Sequence, residues 1–345
     1  MAHSFSNITS REIHLKSRPV GMPKEDNFEL VTLALVDPKE NEILVQNLWM
    51  SVDPYMRGRM NDVPSYIPPF KIGHALEGSA IGKVVISNSP SLKAGDYVIS
   101  KLGWREAFVA KASEVQPFNP IISSQFAPIE AHLGVLGSAG LTAYAGLFRI
   151  AKLKPGERVF ISGATGAVGS VACAFAKSMG CYVVGTAGSE TKRSWLENEL
   201  GVDVAIDYQA SNLSDAVTKA FPNGIDVYFE NAGGEQLRVA LDNMNPFGRI
   251  AFCGMIDNYN DKTPRQGPGN LFKIITRKLS LEGFIVTDHY DLNDSFLRAA
   301  SDLVRNGKLK WKHTVLDGIT AAPKAMINLF TGENFGKTLI RLSQE

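Results

Sequence analysis

The chain has 345 residues, and its 36 basic and 35 acidic side chains give a formal net charge of +1. This length exceeds one ordinary hydrophobic core and fits two domains, and the small charge excludes a strong attraction to nucleic acid or anionic membranes. No segment approaches the roughly 20 apolar residues of a membrane span, and the N-terminus lacks a signal-peptide core. We therefore expect a cytoplasmic protein whose partner is a small molecule, with no nucleic acid and no membrane.

The three cysteines, Cys173, Cys181 and Cys253, lie in apolar runs without paired CxxC spacing. This pattern argues against both a disulfide framework and a structural metal site.

The first part of the chain, residues 1–128, consists of short apolar runs such as EILVQNLWMSV, GSAIGKVVIS and DYVISKLG, separated by turn residues. Runs of this kind predict an all-β module. Along residues 129–295, strand-like and helix-like segments alternate instead. The predicted strands are RVFIS, CYVVGT, DVAIDY, IDVYFEN, RIAFCG and LSLEGFIV. Their continuous apolar character predicts an α/β domain with a doubly wound parallel sheet of the Rossmann type.

The last segment, residues 296–345, reads as helix, strand, helix and strand. It exceeds what the parallel sheet needs, so we expect it to return to the first domain.

A glycine-rich loop, GATGAVGS from Gly163, follows the first strand of the α/β region. Glycine at 166 lets the backbone approach a pyrophosphate closely, glycine at 169 lets the following helix pack on the strand, and the helix N-terminus supplies N–H groups. Ala164 stands where the usual GxGxxG pattern has its first glycine. The strand before the loop and the helix after it predict a dinucleotide site; a glycine-rich turn without a ligand is the alternative.

The end of the second strand indicates which dinucleotide is bound. An NAD-preferring fold carries an acidic residue about 20 residues past the loop, where it binds the ribose 2′-hydroxyl. Here the strand ends in TAGS, with Ser189 as a hydroxyl and with Lys192 and Arg193 just beyond. A hydroxyl and cations suit a 2′-phosphate, so NADPH is the predicted cofactor. The alternative is that the two cations belong to a solvated helix face.

Segments along almost the whole chain resemble one family. They are SVDPYMRGRMND, VPSYIPPF, GVLGSAGLTAYAGL, GATGAVGS, VVGTAGSETK, YFENAGG, GRIAFCGMIDNYN, LEGFIV and GENFGK. The chain resembles the zinc-independent medium-chain dehydrogenases/reductases, in the group of NADPH-dependent double-bond reductases that includes the alkenal, prostaglandin and bacterial curcumin reductases, and it is most similar to the last. The resemblance implies that the first module is a GroES-like β-barrel domain and that the protein is a homodimer.

The resemblance also implies which residues contact the cofactor. The glycine-rich loop holds the pyrophosphate, two residues face the 2′-phosphate, and the others line the ribose and nicotinamide half or reach back from the C-terminal segment. In that order they are Gly166, Ala167, Val168 and Gly169; Lys192 and Tyr208; and Asn231, Cys253, Gly254, Tyr259, Phe284, Val286 and Asn334.

A catalytic zinc is not expected. The stretch GHALEGSAIGKV is similar to the one that supplies a ligand in zinc alcohol dehydrogenases, but His74 is followed by Ala75 rather than by a glutamate. A catalytic zinc needs about three protein ligands, and no cysteine precedes Cys173. His74 is therefore expected to be structural or to line the pocket.

Without a metal to polarise a carbonyl, hydride delivery to the β-carbon of an enone is the favoured chemistry, because the charge spreads onto oxygen as an enolate. A tyrosine stays protonated at neutral pH and can donate a hydrogen bond to that oxygen. By resemblance Tyr259 meets this oxygen together with a ribose hydroxyl of the cofactor; the alternative is a packed surface tyrosine. Tyr66, in a proline-rich loop, and Tyr55 are candidates for protonating the α-carbon, as is solvent.

Two arginines near these tyrosines, Arg57 and Arg59, either attract an anionic substrate or hold the fold through salt bridges.

The predicted function is NADPH-dependent reduction of the C=C bond of α,β-unsaturated ketones and aldehydes, including compounds such as curcumin. Two alternatives remain open, a quinone oxidoreductase with the same cofactor and a non-catalytic NADPH-binding protein.

Overall fold

The computed structural model describes residues 8–119 and 127–343. The strands are β1 (Thr9–Leu15), β2 (Phe28–Ala34), β3 (Glu42–Val52), β4 (Ala80–Ser87), β5 (Tyr97–Ser100), β6 (Ala107–Lys111), β7 (Gln116–Phe118), β8 (Arg158–Ile161), β9 (Tyr182–Ala187), β10 (Val204–Asp207), β11 (Ile225–Glu230), β12 (Met244–Phe252), β13 (Ser280–Gly283), β14 (His313–Asp317) and β15 (Lys337–Arg341).

The α-helices are α1 (Met56–Arg59), α2 (Ser138–Ala145), α3 (Gly169–Ser178), α4 (Glu190–Asn198), α5 (Leu213–Ala220), α6 (Gly234–Asn243), α7 (Phe272–Arg277), α8 (Asn293–Arg305) and α9 (Ala322–Thr331). A π-helical turn, Gly146–Ile150, continues α2, and short 3₁₀ segments include Ile256–Asn258 and Val286–Leu292. Within the part of the chain that the structure describes, no helix combines the length and the apolar composition of a membrane span.

The chain forms two compact units. The first contains the described residues of Met1–Leu133, His313–Asn334 and Thr338–Glu345, and the second contains Gly134–Lys312 and Phe335–Lys337.

The first unit is built on antiparallel strands. One sheet has the order β14-β15-β3-β4-β5-β7, with β6 also paired to β3, and β1 and β2 form a separate pair. β3 is the centre of this sheet, because it pairs with β15, β4 and β6. The core includes Met50, Met56, Met60 and Trp104, all fully buried. The C-terminal strand thus completes a sheet whose other members come mostly from the start of the chain.

The second unit contains a six-stranded parallel sheet with the order β10-β9-β8-β11-β12-β13. All six strands predicted from the sequence are present, and their order 3-2-1-4-5-6 is that of a doubly wound Rossmann sheet. The predicted fold class is therefore confirmed for this region. The order reverses between β8 and β11, and open α/β sheets bind ligands at the carboxyl ends of the strands beside such a reversal.

The central strand of this sheet is apolar because helices cover both of its faces. Val159, Phe160 and Ile161 in β8 are fully buried. The following helix is buried almost throughout, from Gly169 to Ala176. This burial fixes where α3 begins, and hence the shape of the loop before it.

Candidate active site

The loop between β8 and α3 is held tightly at both ends. A Cβ atom at Gly169 would lie 2.3 Å from the carbonyl oxygen of Gly163, so only glycine lets the helix begin this close to the strand. The amide of Gly163 donates to Oγ1 of Thr186 at 3.0 Å, and that hydroxyl donates to Oε1 of Gln236 at 2.6 Å. Thr186 is fully buried. A side chain at the end of β9 thus fixes the start of the loop.

Ala164, which departs from the usual glycine pattern, is accommodated by a glycine on the neighbouring strand. Ala164 is fully buried, and a Cβ atom at Gly185 in β9 would lie 2.7 Å from its Cβ atom. The methyl group of Ala164 therefore occupies the space that a side chain at position 185 would fill.

The loop fits the pyrophosphate of a dinucleotide. A Cβ atom at Gly166 would meet only the loop's own Gly163 oxygen, at 3.2 Å, within 4 Å, so this position is otherwise open. Ala167 and Val168, which follow, are half-buried. The N-terminus of the ten-residue helix α3 follows directly, and its N–H groups and dipole favour an anion.

A C-terminal segment lies against this loop. The amide of Gly336 donates to the carbonyl of Thr165 at 3.1 Å, and Gly336 forms a parallel bridge with Gly166. Phe335 packs its ring edge-on against Trp195, with centroids 5.2 Å apart. Asn334 is predicted from the sequence as a cofactor contact, whereas Gly336 is not; the only sign of Gly336 in the sequence is the second glycine of GENFGK. Asn334 is half-buried and belongs to the other unit.

Ser189, Lys192 and Tyr208 lie around the end of β9. The Oγ atom of Ser189 caps helix α4 by accepting the amide of Lys192 at 3.4 Å. The phenol of Tyr208 lies beside Gly188, 3.0 Å from where a Cβ atom would be. Burial lowers the pKa of the half-buried Lys192 ammonium, so a phosphate that supplies a counter-charge would be stabilised there.

The second cation predicted near this end, Arg193, has a structural role. It pairs with Glu190 and with Asp207, each at 2.7 Å. These ion pairs fasten α4 to the end of β10.

A cleft of about 480 Å³ lies at the carboxyl ends of β12 and β13. Its lining consists of Phe252, Cys253, Gly254, Met255, Tyr259, Gly283, Phe284, Ile285 and Asp288. The structure thus brings together four of the predicted residues, Cys253, Gly254, Tyr259 and Phe284. Val286 is next to this lining in the chain and starts the following 3₁₀ segment.

Tyr259 is half-buried, and its hydroxyl lies 3.2 Å from where a Cβ atom would be at Gly254. The absence of a side chain at 254 leaves room for this hydroxyl in the cleft. Burial and the nearby Glu230 raise the pKa of the Cys253 thiol to about 12. The cleft therefore presents a neutral thiol and a phenol, and Asp288 is the acidic residue of its lining.

Asn231 is fixed at the end of β11. Its amide N–H donates to Oγ of Ser162 at 2.8 Å, and its side-chain Nδ2 donates to the Ser162 carbonyl at 2.7 Å. These bonds tie the end of β11 to the end of β8, next to the glycine-rich loop.

In the first unit, Tyr66 is 59% exposed, whereas Tyr55 is half-buried and packs against the core. Burial, with a further contribution from Asp53, raises the pKa of Tyr55, and Tyr66 also acts on it electrostatically. The two tyrosines predicted as proton donors are therefore neighbours in different environments.

The two arginines of DPYMRGRM are buried and bound to protein groups. Arg57 donates to Oδ1 of Asn61 at 2.7 Å and to the Gly21 carbonyl at 2.9 Å. Arg59 donates to the Pro68 carbonyl at 2.9 Å and to Glu77 at 2.7 Å. Of the two roles considered for them, these contacts favour the structural one.

His74 is exposed, and its Nδ1 atom lies 3.1 Å from the Ile72 carbonyl oxygen. Among residues 8–119 and 127–343, no three His, Cys, Asp or Glu side chains converge as a metal site.

Two family profiles match the chain. One, described as "N-terminal domain of oxidoreductase", covers residues 11–118, and the other, described as "zinc-binding dehydrogenase", covers residues 167–302. The chain is 41% identical over 338 residues to the putative NADP-dependent oxidoreductase YfmJ of Bacillus subtilis (strain 168), covering 97% of this chain and 98% of that protein.

The chain is also 40% identical to a 2-alkenal reductase (NADP(+)-dependent) of Nicotiana tabacum, covering 98% of this chain and 99% of that protein. The crystal structure of CurA in complex with NADPH from Vibrio vulnificus matches with a TM-score of 0.90 at 33% identity, covering 97% of this chain and 100% of that chain.

Proposed function

The chain belongs to the medium-chain dehydrogenases/reductases, in the group of double-bond reductases, and from this membership we propose that it reduces the C=C bond of α,β-unsaturated ketones and aldehydes with NADPH. The single observation that carries the proposal is the Tyr259 hydroxyl in an otherwise largely apolar cleft at the carboxyl ends of β12 and β13. The 2-alkenal reductase of tobacco and the NADPH complex of CurA are relatives that support this chemistry.

The cofactor is NADPH, and when bound it supplies a hydride. The loop from Gly166 to Gly169 would hold its pyrophosphate, and Ser189, Lys192 and Tyr208 would bind its 2′-phosphate. Asn231 would contact the ribose, Phe284 and Val286 would contact the carboxamide, and Asn334 would reach the cofactor from the C-terminal segment. These assignments are proposals for mutational tests.

The chain's own residues handle the charge that develops on the substrate. Tyr259 donates its hydroxyl proton in a hydrogen bond to the enolate oxygen, which stabilises the negative charge after the β-carbon is reduced. Phe252, Met255 and Phe284 line the cleft with apolar surface, which strengthens this bond by excluding water.

Cys253 shares this cleft, and enones react with thiolates. Because the pKa of Cys253 is raised to about 12, the sulfur stays a thiol at neutral pH and is a poor nucleophile. The enzyme can therefore hold an electrophilic substrate beside a cysteine.

The α-carbon then takes up a proton. We assign this proton to Tyr66 rather than to Tyr55, since burial and Asp53 raise the pKa of Tyr55 and make it the weaker acid. Solvent is the alternative donor.

We also propose that the first unit is the substrate domain, that the second is the NADPH-binding domain, and that the protein works as a cytoplasmic homodimer. The boundaries 1–128, 129–295 and 296–345 stay predictions.

The test is NADPH oxidation by purified protein with an enone, its saturated ketone and a quinone side by side, with NADH as the cofactor control. We expect consumption only with the enone, with the saturated ketone as product. Consumption with the quinone alone would assign a quinone oxidoreductase. NADPH binding without turnover on a broad panel of alkenals, enones and diarylheptanoids would assign a binding protein.

A further inference from the structure

Glu230, the last residue of β11, is fully buried and was not among the residues predicted from the sequence. One of its carboxyl oxygens, Oε1, accepts three hydrogen bonds. They come from the Ser162 hydroxyl at 2.8 Å, the Ala232 amide at 2.6 Å and the Gly233 amide at 2.9 Å. A single side-chain oxygen thus determines the path of the turn that follows β11 and contains Asn231.

The backbone of the same residue holds a second loop. The carbonyl of Glu230 accepts the amides of Cys253 at 2.9 Å and of Gly254 at 3.1 Å. The next two carbonyls continue the pairing, since Asn231 accepts the amide of Ile256 and Ala232 accepts that of Asp257. The segment that lines the cleft is therefore attached to the turn that Glu230 shapes.

The third connection leads to the phosphate loop. The Ser162 hydroxyl donates to Glu230 and accepts the amide of Asn231, and Ser162 directly precedes Gly163. Three segments therefore meet at Glu230. Its carboxyl holds the start of the phosphate loop and the turn after β11, and its backbone carbonyl holds the residues after β12.

We propose that Glu230 is a positioning residue. It sets the phosphate loop, which begins at Gly163, and the cleft-lining segment after β12, which begins at Cys253, at the spacing that a dinucleotide requires. The inference rests on the proposed NADPH function and adds a residue to it. Glu230 does not contact the reacting atoms. Its side chain acts through Ser162, Ala232 and Gly233, which shape the turn to which Cys253 and Gly254 are attached. Removing its side chain leaves three buried donors without their acceptor, which costs far more than losing an exposed hydrogen bond.

The role needs an acceptor oxygen and not a charge. Burial raises the pKa of Glu230, which favours a neutral carboxyl. A glutamine has an oxygen at the same position and of similar size, so Glu230→Gln should keep the three bonds whereas Glu230→Ala loses them.

The experiment measures NADPH affinity by cofactor fluorescence, without any enone, in the wild type, Glu230→Ala, Glu230→Gln and a control. Val227→Ala is the matched control, because Val227 is fully buried in the same strand but is not one of the loop partners. Adenosine 2′-monophosphate, which occupies only the adenosine end, is the second probe.

We expect Glu230→Ala to raise the Kd for NADPH by about tenfold or more. Glu230→Gln should raise it by less than about threefold, and Val227→Ala should leave it unchanged. Affinity for adenosine 2′-monophosphate should be unchanged in all variants. If Glu230→Ala does not fold, Ser162→Ala replaces it, with an expected weakening of about threefold.

Unchanged NADPH affinity in Glu230→Ala would overturn the inference, as would equal losses for both probes or an equal loss in Val227→Ala. If Ser162→Ala is used in place of Glu230→Ala, an unchanged affinity for NADPH would overturn the inference in the same way. A wild type that binds no NADPH would instead overturn the proposed function.

Discussion

Gly336 pairs with Gly166 of the glycine-rich loop, and its own position admits no other residue. Its φ angle is +72°, and a Cβ atom there would lie 1.9 Å from the backbone oxygen of Lys312. The segment Phe335–Lys337 is therefore locked between Lys312 and the loop.

Gly336→Ala should weaken NADPH binding by about tenfold or more, because the backbone must move away from Thr165 and Gly166 to relieve the collision. Gly180→Ala is the control: Gly180 has a similar φ of +68° but open space around it, so it should lose about 1–2 kcal/mol of stability without losing affinity. Fluorescence titration and thermal unfolding measure the two effects. Equal NADPH affinities in both variants would show that the contact has no role in binding.

Tyr259→Phe should reduce kcat for enone reduction by about 10- to 100-fold with a much smaller effect on NADPH affinity, since the variant keeps the aromatic ring and loses the hydrogen bond to the enolate. Tyr290→Phe, at an exposed tyrosine outside the cleft lining, is the control. The measurement is kcat of the wild type and both variants in steady-state kinetics with one enone. A Tyr259→Phe variant with wild-type kcat would remove this hydroxyl from the mechanism.

Lys192→Gln should lower the preference for NADPH over NADH by about tenfold or more, because a partly desolvated ammonium gains most from a phosphate partner. Arg193→Gln should change this preference little, since Arg193 is already paired with Glu190 and Asp207. The ratio of kcat/KM values for the two cofactors is the measurement. The opposite ranking would assign the 2′-phosphate to Arg193.

Tyr66→Phe should slow enone reduction several-fold with little change in Tm, because Tyr66 is largely exposed. Tyr55→Phe should leave the rate closer to that of the wild type, as its raised pKa makes it a poor acid. Rates and melting temperatures of both variants are compared. If neither variant is slower, the proton comes from solvent.

The pH dependence of the free energy of unfolding should show that Glu230 changes its protonation state on folding. Because its pKa is raised in the folded state, the native protein holds a proton at pH values where the unfolded chain has lost it. The proton that Glu230 keeps therefore stabilises the folded state. This contribution to the free energy of unfolding is fully present below the ordinary glutamate pKa, and it is lost as the pH rises through the folded-state pKa of Glu230. In urea unfolding across this range, the wild type should therefore lose stability relative to Glu230→Gln as pH rises. A constant difference between the two proteins would mean that Glu230 does not change protonation on folding.

The parallel sheet could be predicted from the sequence because its strands are continuous apolar runs, as in VFI of β8 and YVVGTA of β9. Four residues of the cleft could be named because they lie in contiguous segments that resemble a family: Cys253, Gly254 and Tyr259 in GRIAFCGMIDNYN, and Phe284 in LEGFIV. Both signals are local in the chain.

What could not be predicted depends on contacts between distant segments. Glu230 lies in a run that reads only as a strand end, and its importance comes from Ser162 and from the amides of Cys253 and Gly254. Arg193 and Lys192 are adjacent in the sequence and both predict a phosphate contact, but Arg193 forms an ion pair with Asp207 on the next strand. Gly336 reads as a turn glycine until the carbonyl of Lys312 is seen beside it.

The methyl group of Ala164 and the bare Cα of Gly185 share one small volume, and this limits the order in which the two positions can be changed. Adding a methyl group at 185 first creates a collision, whereas trimming 164 to glycine first only opens a void. A redesign that places a side chain at position 185 must therefore change position 164 to glycine first. The same reasoning makes the two sites a natural pair for a double-mutant cycle, in which Gly185→Ala should be better tolerated once residue 164 is glycine.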